Sequence, residues 1–176
     1  MNLLDKIKFF LRRPPIIIAS GEAQEAIKQV LDSHFRLAKE VLMVSQDFNF
    51  FIKYSRLPIL VADQSIGMAS WAEILPAHGY LILNSDDDEK WRELKNKTKG
   101  KVISFGMGAR ADIKASDLTE TNFKINYRGN IVPVWLEKIS GKEQIYAVLA
   151  AAAVSEVLGL NLVEISEALK KNWQVV

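Results

Sequence analysis

The feature that most constrains the fold is a series of short, uninterrupted apolar runs separated by polar, helix-like segments. The runs cover residues 14–19, 41–44, 58–62, 80–83 and 101–105. A strand that is apolar on both faces must be covered on both faces, as in a parallel sheet flanked by helices. The alternation therefore predicts a βαβα chain and an α/β fold with a mostly parallel sheet.

The pattern changes after Gly106. Strand-like segments at residues 111–118, 123–127 and 131–136 are joined by turn residues, and Arg128-Gly129-Asn130 has the composition of a tight hairpin turn. These segments predict a small antiparallel β section near residues 111–138. Two helical patterns end the chain, at residues 143–158 and 162–173.

Length and composition narrow the class of protein. The 176 residues suit one α/β domain with its own core, expected over residues 14–176. The 23 basic and 21 acidic residues give a net charge of +2, so there is no global electrostatic reason to expect nucleic acid as a partner. The chain contains no cysteine and two histidines, which rules out thiol catalysis and a histidine-rich metal site.

Residues 1–13 form a separate unit in the sequence. Apolar residues fall on one helical face with basic residues elsewhere, and Pro14-Pro15 stops the helix. This pattern predicts a short amphipathic helix with two alternative roles. It packs on its own domain or on a protein partner, or it makes weak contact with an anionic membrane surface. No export signal is present in the pattern, so we expect a cytoplasmic protein, either free or peripheral at the inner membrane face.

The turn after the first apolar run has the layout of a phosphate-binding loop. Ser20 and Gly21 follow the run, and a helix is predicted over residues 22–31. Such a loop needs several glycines, a lysine that reaches the terminal phosphates, and a Ser or Thr hydroxyl for Mg²⁺. Here one glycine is followed by Glu22 and Glu25, and carboxylates at a helix N-terminus repel a triphosphate. The turn therefore predicts a first βα unit that does not bind nucleotide phosphates.

The densest acidic cluster, residues 86–89, has two interpretations. An acidic run could chelate a divalent cation, or it could be a turn and a helix N-terminus in which carboxylates cap free N–H groups. The second interpretation fits the polar helix predicted over residues 87–97. Gly106-Met107-Gly108 is a weak nucleotide-loop signal, because no third glycine or helical pattern follows it.

Several pieces of the second half occur in an order that points to a known family. A strand leads to the turn Asn84-Ser85-Asp86-Asp87, and a helix starts at Gly141-Lys142 before an alanine-rich run. The pieces are residues 75–87, 102–106, 111–118, 141–153, 158–160 and 165–169. Together they resemble the central, ATP-binding domain of the Mur ligases, which add amino acids or dipeptides to the UDP-linked peptidoglycan precursor. The resemblance implies a P-loop-like α/β domain.

The departures from that family fall where it keeps its chemistry. Ser20, Gly21 and Glu22 stand at the phosphate loop. Ser70 stands where a histidine helps to hold Mg²⁺. The segment that should carry a carbamylated lysine is missing. At the start of the adenine-side helix, the residues that replace the family's histidine and asparagines are Glu143, Gln144 and Ala147.

The resemblance and its departures together predict a non-catalytic Mur-ligase-like domain, a pseudoenzyme without catalytic residues, metal or cofactor. It would act as a binding or scaffold protein in peptidoglycan-precursor synthesis through a protein partner, such as a true Mur ligase or another cell-wall enzyme. The alternative is a divergent Mur-type ligase or ligase subunit that uses Mg-ATP, forms an amide bond, and obtains its missing groups from a partner chain.

Overall fold

Eight strands form one continuous sheet in the computed structural model, which describes residues 3–37, 39–44, 48–62 and 68–172. The strands are β1 Ile16–Ile18, β2 Leu42–Met43, β3 Pro58–Ala62, β4 Tyr80–Asn84, β5 Lys101–Gly106, β6 Ile113–Ser116, β7 Asn122–Tyr127 and β8 Asn130–Trp135. The helices are α1 Leu3–Arg12, α2 Gly21–Leu31, α3 Phe48–Tyr54, α4 Met68–Ile74, α5 Asp88–Lys97, α6 Lys142–Val157 and α7 Leu162–Asn172.

The sheet order is β2-β1-β3-β4-β5-β6-β7-β8, and all neighbours are parallel as far as β6. The predicted mostly parallel α/β fold is therefore confirmed. The antiparallel section is confirmed as well, because β6, β7 and β8 pair antiparallel, but it extends the same sheet. Arg128 and Gly129 form its two-residue turn with φ values of 48° and 81°, the geometry of a type I′ hairpin.

The strand predicted over 111–118 differs from β6 at both ends for local reasons. Strand β6 begins later, because the Asp112 carboxylate accepts hydrogen bonds of 2.8 and 2.6 Å from the N–H and hydroxyl groups of Ser104. These bonds hold Asp112 at the end of β5 rather than in β6. At the other end, Asp117 adopts a φ of 51°, which no extended strand can accommodate.

Each face of the sheet carries its own apolar core. Along β3, Ile59 and Val61 face the helices α2, α6 and α7, whereas Leu60 and Ala62 face α1, α3 and α4. This alternation follows from the two-residue period of a strand. Helix α6 is buried on nearly all sides, and Ala150–Ala153 are at most 1% exposed. The small side chains let α6 lie close to both the sheet and α2.

Helix α1 packs on α3. Phe9 is 5% exposed, and its ring meets that of Phe51 edge to face with centroids 4.7 Å apart. Phe10 contacts the Tyr54 ring, but Leu11 remains 78% exposed. One of the two predicted roles of this helix, packing on its own domain, is thus present in the fold. Within the described ranges, no helix has the length and apolar character needed to cross a membrane.

Candidate functional site

A cavity lies at the carboxyl end of β1, β3, β4 and β5. The chain leaves β1 for β2 on one side and returns to β3 on the other, so the strand order reverses there. Ligands of open α/β sheets bind at this type of position. The cavity measures about 580 Å³, within the usual range for a small-molecule site. Its lining comes from the turns after β1 and β4, the ends of β3 and β5, and the start of α6.

The turn after β1 forms one wall. Gly21 adopts a φ of +56°, a conformation that glycine reaches without strain, and α2 begins at this residue. Ser20 precedes the helix in an extended conformation, and Glu22 lies in its first turn. The N-terminal N–H groups of α2 are thus close to the cavity, but the nearest charged side chain is a carboxylate. It suits the helix dipole and opposes a bound phosphate.

Asp86 ties the turn after β4 to the turn after β5. Its two carboxylate oxygens accept hydrogen bonds of 2.6 Å from the Met107 N–H and 2.9 Å from the Gly108 N–H. The glycine backbones lie so close to this side chain that a Cβ on Gly106 or Gly108 would be 2.9 or 2.7 Å from the Asp86 carboxylate. The pairing of Gly106-Met107-Gly108 with Asp86 therefore gives these glycines a structural role.

Tyr146 extends this contact to α6. Its hydroxyl donates a 3.2 Å hydrogen bond to the same Asp86 carboxylate. Burial of the phenol, together with the negative charge of Asp86 and the hydrogen bond to it, raises the pKa of Tyr146 to about 12. Tyr146 is thus a neutral hydrogen-bond donor at physiological pH. It fixes the position of α6 against the wall of the cavity.

Among the other acidic residues of this segment, Asp87 caps a helix and Asp88 pairs with an arginine. The Asp87 carboxylate accepts a 3.2 Å hydrogen bond from the Lys90 N–H at the start of α5, and it lies 3.8 Å from the Lys90 ammonium. The Asn84 side chain accepts a 2.9 Å hydrogen bond from the Asp86 N–H. Arg110 donates a hydrogen bond to Asp88, and that bond and the arginine charge lower the pKa of the Asp88 carboxyl. The capping interpretation of residues 86–89 is confirmed for Asp87.

The start of α6 holds the remaining predicted positions. Glu143 and Ala147 line the cavity, one turn apart on the same helix face. Gln144 does not line it. Its side-chain oxygen accepts a 2.7 Å hydrogen bond from the Ser140 N–H, which fixes the chain as it enters the helix. The structure therefore brings two of these three residues to the cavity and uses the third as a cap.

Ser70 lies apart from this site. It is an exposed residue in the first turn of α4, and it does not line the cavity. The segment before this helix, residues 63–67, lies outside the described residues. Across the part of the chain that the structure describes, no group of three or more His, Asp or Glu side chains is arranged to hold a metal ion.

The charge of the cavity is the opposite of what a nucleotide triphosphate needs. Four carboxylates and one ammonium line it, a formal charge of −3; they are Glu22, Asp86, Asp87, Glu143 and Lys90. A triphosphate site surrounds the phosphates with cations, a metal ion and backbone N–H groups. The described residues of this cavity provide a single cation, already within reach of Asp87. They do not fit Mg-ATP bound in the manner of a phosphate loop.

Comparison with known proteins shows a resemblance over part of the chain. Residues 69–155 match the Mur ligase middle domain. A UDP-N-acetylmuramate–L-alanine ligase of Caldanaerobacter subterraneus is 27% identical over 106 residues, which is 57% of this chain and 23% of that enzyme. The chain is Mur ligase-like. The family match covers slightly less than half of this chain, and the chain spans about a quarter of the length of this curated relative.

Solved structures agree with the Mur ligase-like fold. MurF from Acinetobacter baumannii superposes with a TM-score of 0.72 at 16% identity, covering 98% of this chain and 50% of that one. MurF ligase from Thermotoga maritima in complex with ADP gives a TM-score of 0.67 at 12% identity, covering 98% and 52%. At these identities the likeness shows the fold alone.

Sequence reasoning missed two residues that define the cavity. Tyr146 lies within residues 141–153, which resemble the family, and its spacing of three from Glu143 puts both side chains on one helix face. Lys90 belongs to the polar helix predicted over residues 87–97. Its spacing of three from Asp87 indicates that its side chain lies near the turn that precedes this helix. In each case helical spacing was the available signal.

Proposed function

We propose that this Mur ligase-like chain is a non-catalytic binding or scaffold protein in peptidoglycan-precursor synthesis, and that it acts through a protein partner. The observation that carries the proposal is the acidic lining of the cavity at the switch point of the sheet. The fold keeps a cavity of ligand size there, but the phosphate loop position holds Glu22 where a ligase needs a cation.

An ATP-dependent ligase must stabilise negative charge that develops during its reaction. Formation of an acyl phosphate from ATP places negative charge on the transferred phosphoryl group, and Mg²⁺ and cationic side chains must stabilise it. Glu22 and Glu143 would add repulsion to the same region. The Asp86 carboxylate accepts three hydrogen bonds from the protein itself, which leaves it little capacity to coordinate a metal ion.

A binding experiment tests the scaffold role directly. The purified chain is titrated into a full-length UDP-N-acetylmuramate–L-alanine ligase from the same cell, and then into other cell-wall ligases from that cell, by isothermal calorimetry. Saturable binding to at least one of them is expected. A complete absence of binding across the set, with both proteins folded, contradicts the proposal.

A second candidate function is a ligase subunit that borrows catalytic groups from a partner chain. Two observations favour it: the cavity volume of about 580 Å³ is large enough for a nucleotide, and Lys90 contributes an ammonium to the lining. Its signature is ATP-dependent phosphate release that requires this chain, a UDP-linked precursor and the partner together. Phosphate release that is unchanged when this chain is omitted leaves only the scaffold role.

A further inference from the structure

A second cavity of about 570 Å³ lies at the opposite, amino edge of the sheet. Its walls are the residues that lead into β1, β2 and β3, together with the end of α6. It is separated from the first cavity by the length of the strands. The two sites can therefore bind different ligands.

Hydrogen bonds fix the base of this second cavity. The Ser55 hydroxyl donates a 2.7 Å hydrogen bond to the Pro14 carbonyl, and the Leu42 N–H donates a 3.0 Å hydrogen bond to the Pro15 carbonyl. The Arg56 N–H also reaches the Arg13 carbonyl at 3.4 Å. The segments that carry the lining side chains are thus held against one another before any ligand arrives, which lowers the ordering cost of binding.

The lining of this cavity is basic. Arg12, Lys39 and Arg56 stand against one acidic residue, Glu40, a formal charge of +2. Glu40 is engaged elsewhere, since its carboxylate accepts a 2.7 Å hydrogen bond from the Arg36 N–H. In the described ranges no carboxylate lies within 4.0 Å of the three cationic groups. Two guanidinium groups without a carboxylate partner are suited to bind phosphate oxygens in pairs.

The remaining lining is apolar. Pro14, Pro15 and Val41 are buried, and Leu57 and Val157 are half-buried at the cavity surface. Leu11, an exposed apolar residue of α1, immediately precedes the lining residue Arg12 in the chain. A ligand that satisfies both parts of the cavity carries a phosphate group and an apolar portion.

We propose that the amino-edge cavity binds a phosphate-bearing amphiphile, with Arg12, Lys39 and Arg56 around the phosphate and the apolar portion against Pro14, Pro15 and Val157. This site is independent of the function proposed for the first cavity. The charges separate the two, because the formal charge of −3 at the carboxyl edge repels the anion that the formal charge of +2 at the amino edge attracts. The phosphate can belong to a lipid headgroup or to a soluble phosphate ester.

The test uses the full chain with two probes. Flotation with vesicles of phosphatidylglycerol and phosphatidylcholine, compared with pure phosphatidylcholine, reports on a lipid source. Calorimetric titration with glycerol phosphate reports on a soluble one. The double variant Arg12→Glu/Arg56→Glu is compared with Lys142→Glu, which makes the same kind of charge change at the opposite edge of the sheet. Arg56→Gln serves as a milder variant if the double variant does not fold, as judged by circular dichroism.

We expect the anionic vesicles to retain the chain and the neutral ones not to. The double variant should lower vesicle partitioning by about tenfold or more, and Lys142→Glu should leave it nearly unchanged. Binding of glycerol phosphate with the same dependence on Arg12 and Arg56, and without vesicle binding, assigns the site to a soluble ester. Absence of binding to both probes, or equal losses in Lys142→Glu and the double variant, overturns the proposal.

Discussion

The hydroxyl of Tyr146 donates a 3.2 Å hydrogen bond to the carboxylate of Asp86, sixty positions earlier in the chain. Through this one carboxylate, α6 is connected to the turns after β4 and β5. Helix α6, the turn after β4 and the end of β5 all line the cavity at the carboxyl edge. The shape of the cavity therefore depends on the Asp86 carboxylate. The family resemblance identified only the turn that contains this residue and gave it no role.

Replacement of Asp86 by alanine should destabilise the domain. It leaves the Met107 and Gly108 N–H groups and the Tyr146 hydroxyl without their acceptor, and we expect a loss of about 1 to 3 kcal/mol in the free energy of unfolding. Urea denaturation followed by tryptophan fluorescence measures it. Glu93→Ala, which removes an exposed carboxylate from α5, is the control and should have a much smaller effect. Equal losses in both variants would show that Asp86 does not join the turns.

The close approach of Gly108 to Asp86 predicts a position-specific effect of alanine. A Cβ at Gly108 would lie 2.7 Å from the carboxylate oxygen, so Gly108→Ala must displace Asp86 and should cost about 1 to 2 kcal/mol. Gly141 has extended backbone and no heavy atom within 4 Å of a Cβ, so Gly141→Ala should change stability by less than about 0.5 kcal/mol. Thermal unfolding of Gly108→Ala and Gly141→Ala is the measurement. An unchanged stability of Gly108→Ala would refute the close contact.

Tyr146 gives the stability of the protein an alkaline dependence. Its pKa is raised from 10.0 to about 12 in the folded state, so the folded protein holds the phenolic proton more tightly than the unfolded chain. The stability from this group is complete below pH 10 and is lost as the pH rises through about 12. Unfolding curves at successive pH values should show a steeper alkaline loss for the native chain than for Tyr146→Phe. Parallel curves would exclude this pKa shift.

Helix α1 should contribute to stability through one side chain. Phe9 is 5% exposed against the α3 aromatic rings, and Phe9→Ala should lower the free energy of unfolding by about 3 kcal/mol. Leu11 is 78% exposed, and Leu11→Ala should change it by less than about 0.5 kcal/mol. Chemical denaturation of both variants is the measurement. If α1 were detached from α3, neither substitution would change the free energy of unfolding.

The sequence predicted most of the sheet because its strands are locally distinctive. Continuous apolar runs such as Pro58–Ala62 are buried on both faces, and this pattern is visible without tertiary information. The turn at Arg128-Gly129 was predictable as well. A type I′ turn requires positive φ values, and glycine adopts them readily. The start of β6 was less predictable. The hydrogen bonds between Ser104 and Asp112 depend on the arrival of a later segment at that edge.

The candidate site was predictable only in part. Resemblance to the Mur ligases placed Gly21 and Glu143 at related positions, and the fold brings both to one cavity. The close packing of Asp86 against Gly108 could not be derived from spacing, because it joins two turns that are adjacent only in the folded sheet. The basic cavity was not predicted either. Its cations come from α1, from the segment before β2 and from the segment before β3, so no local pattern unites them.

The most direct test of the central claim is calorimetric titration of the purified, folded chain with Mg-ATP. A full-length UDP-N-acetylmuramate–L-alanine ligase serves as the positive control, and a UDP-linked muramyl peptide as a second ligand. The acidic lining of the carboxyl-edge cavity predicts no saturable heat with Mg-ATP at micromolar concentrations, under conditions in which the control ligase binds. Saturable binding of Mg-ATP with micromolar affinity would contradict the account and show that the turn at Ser20-Gly21-Glu22 still accepts nucleotide phosphates.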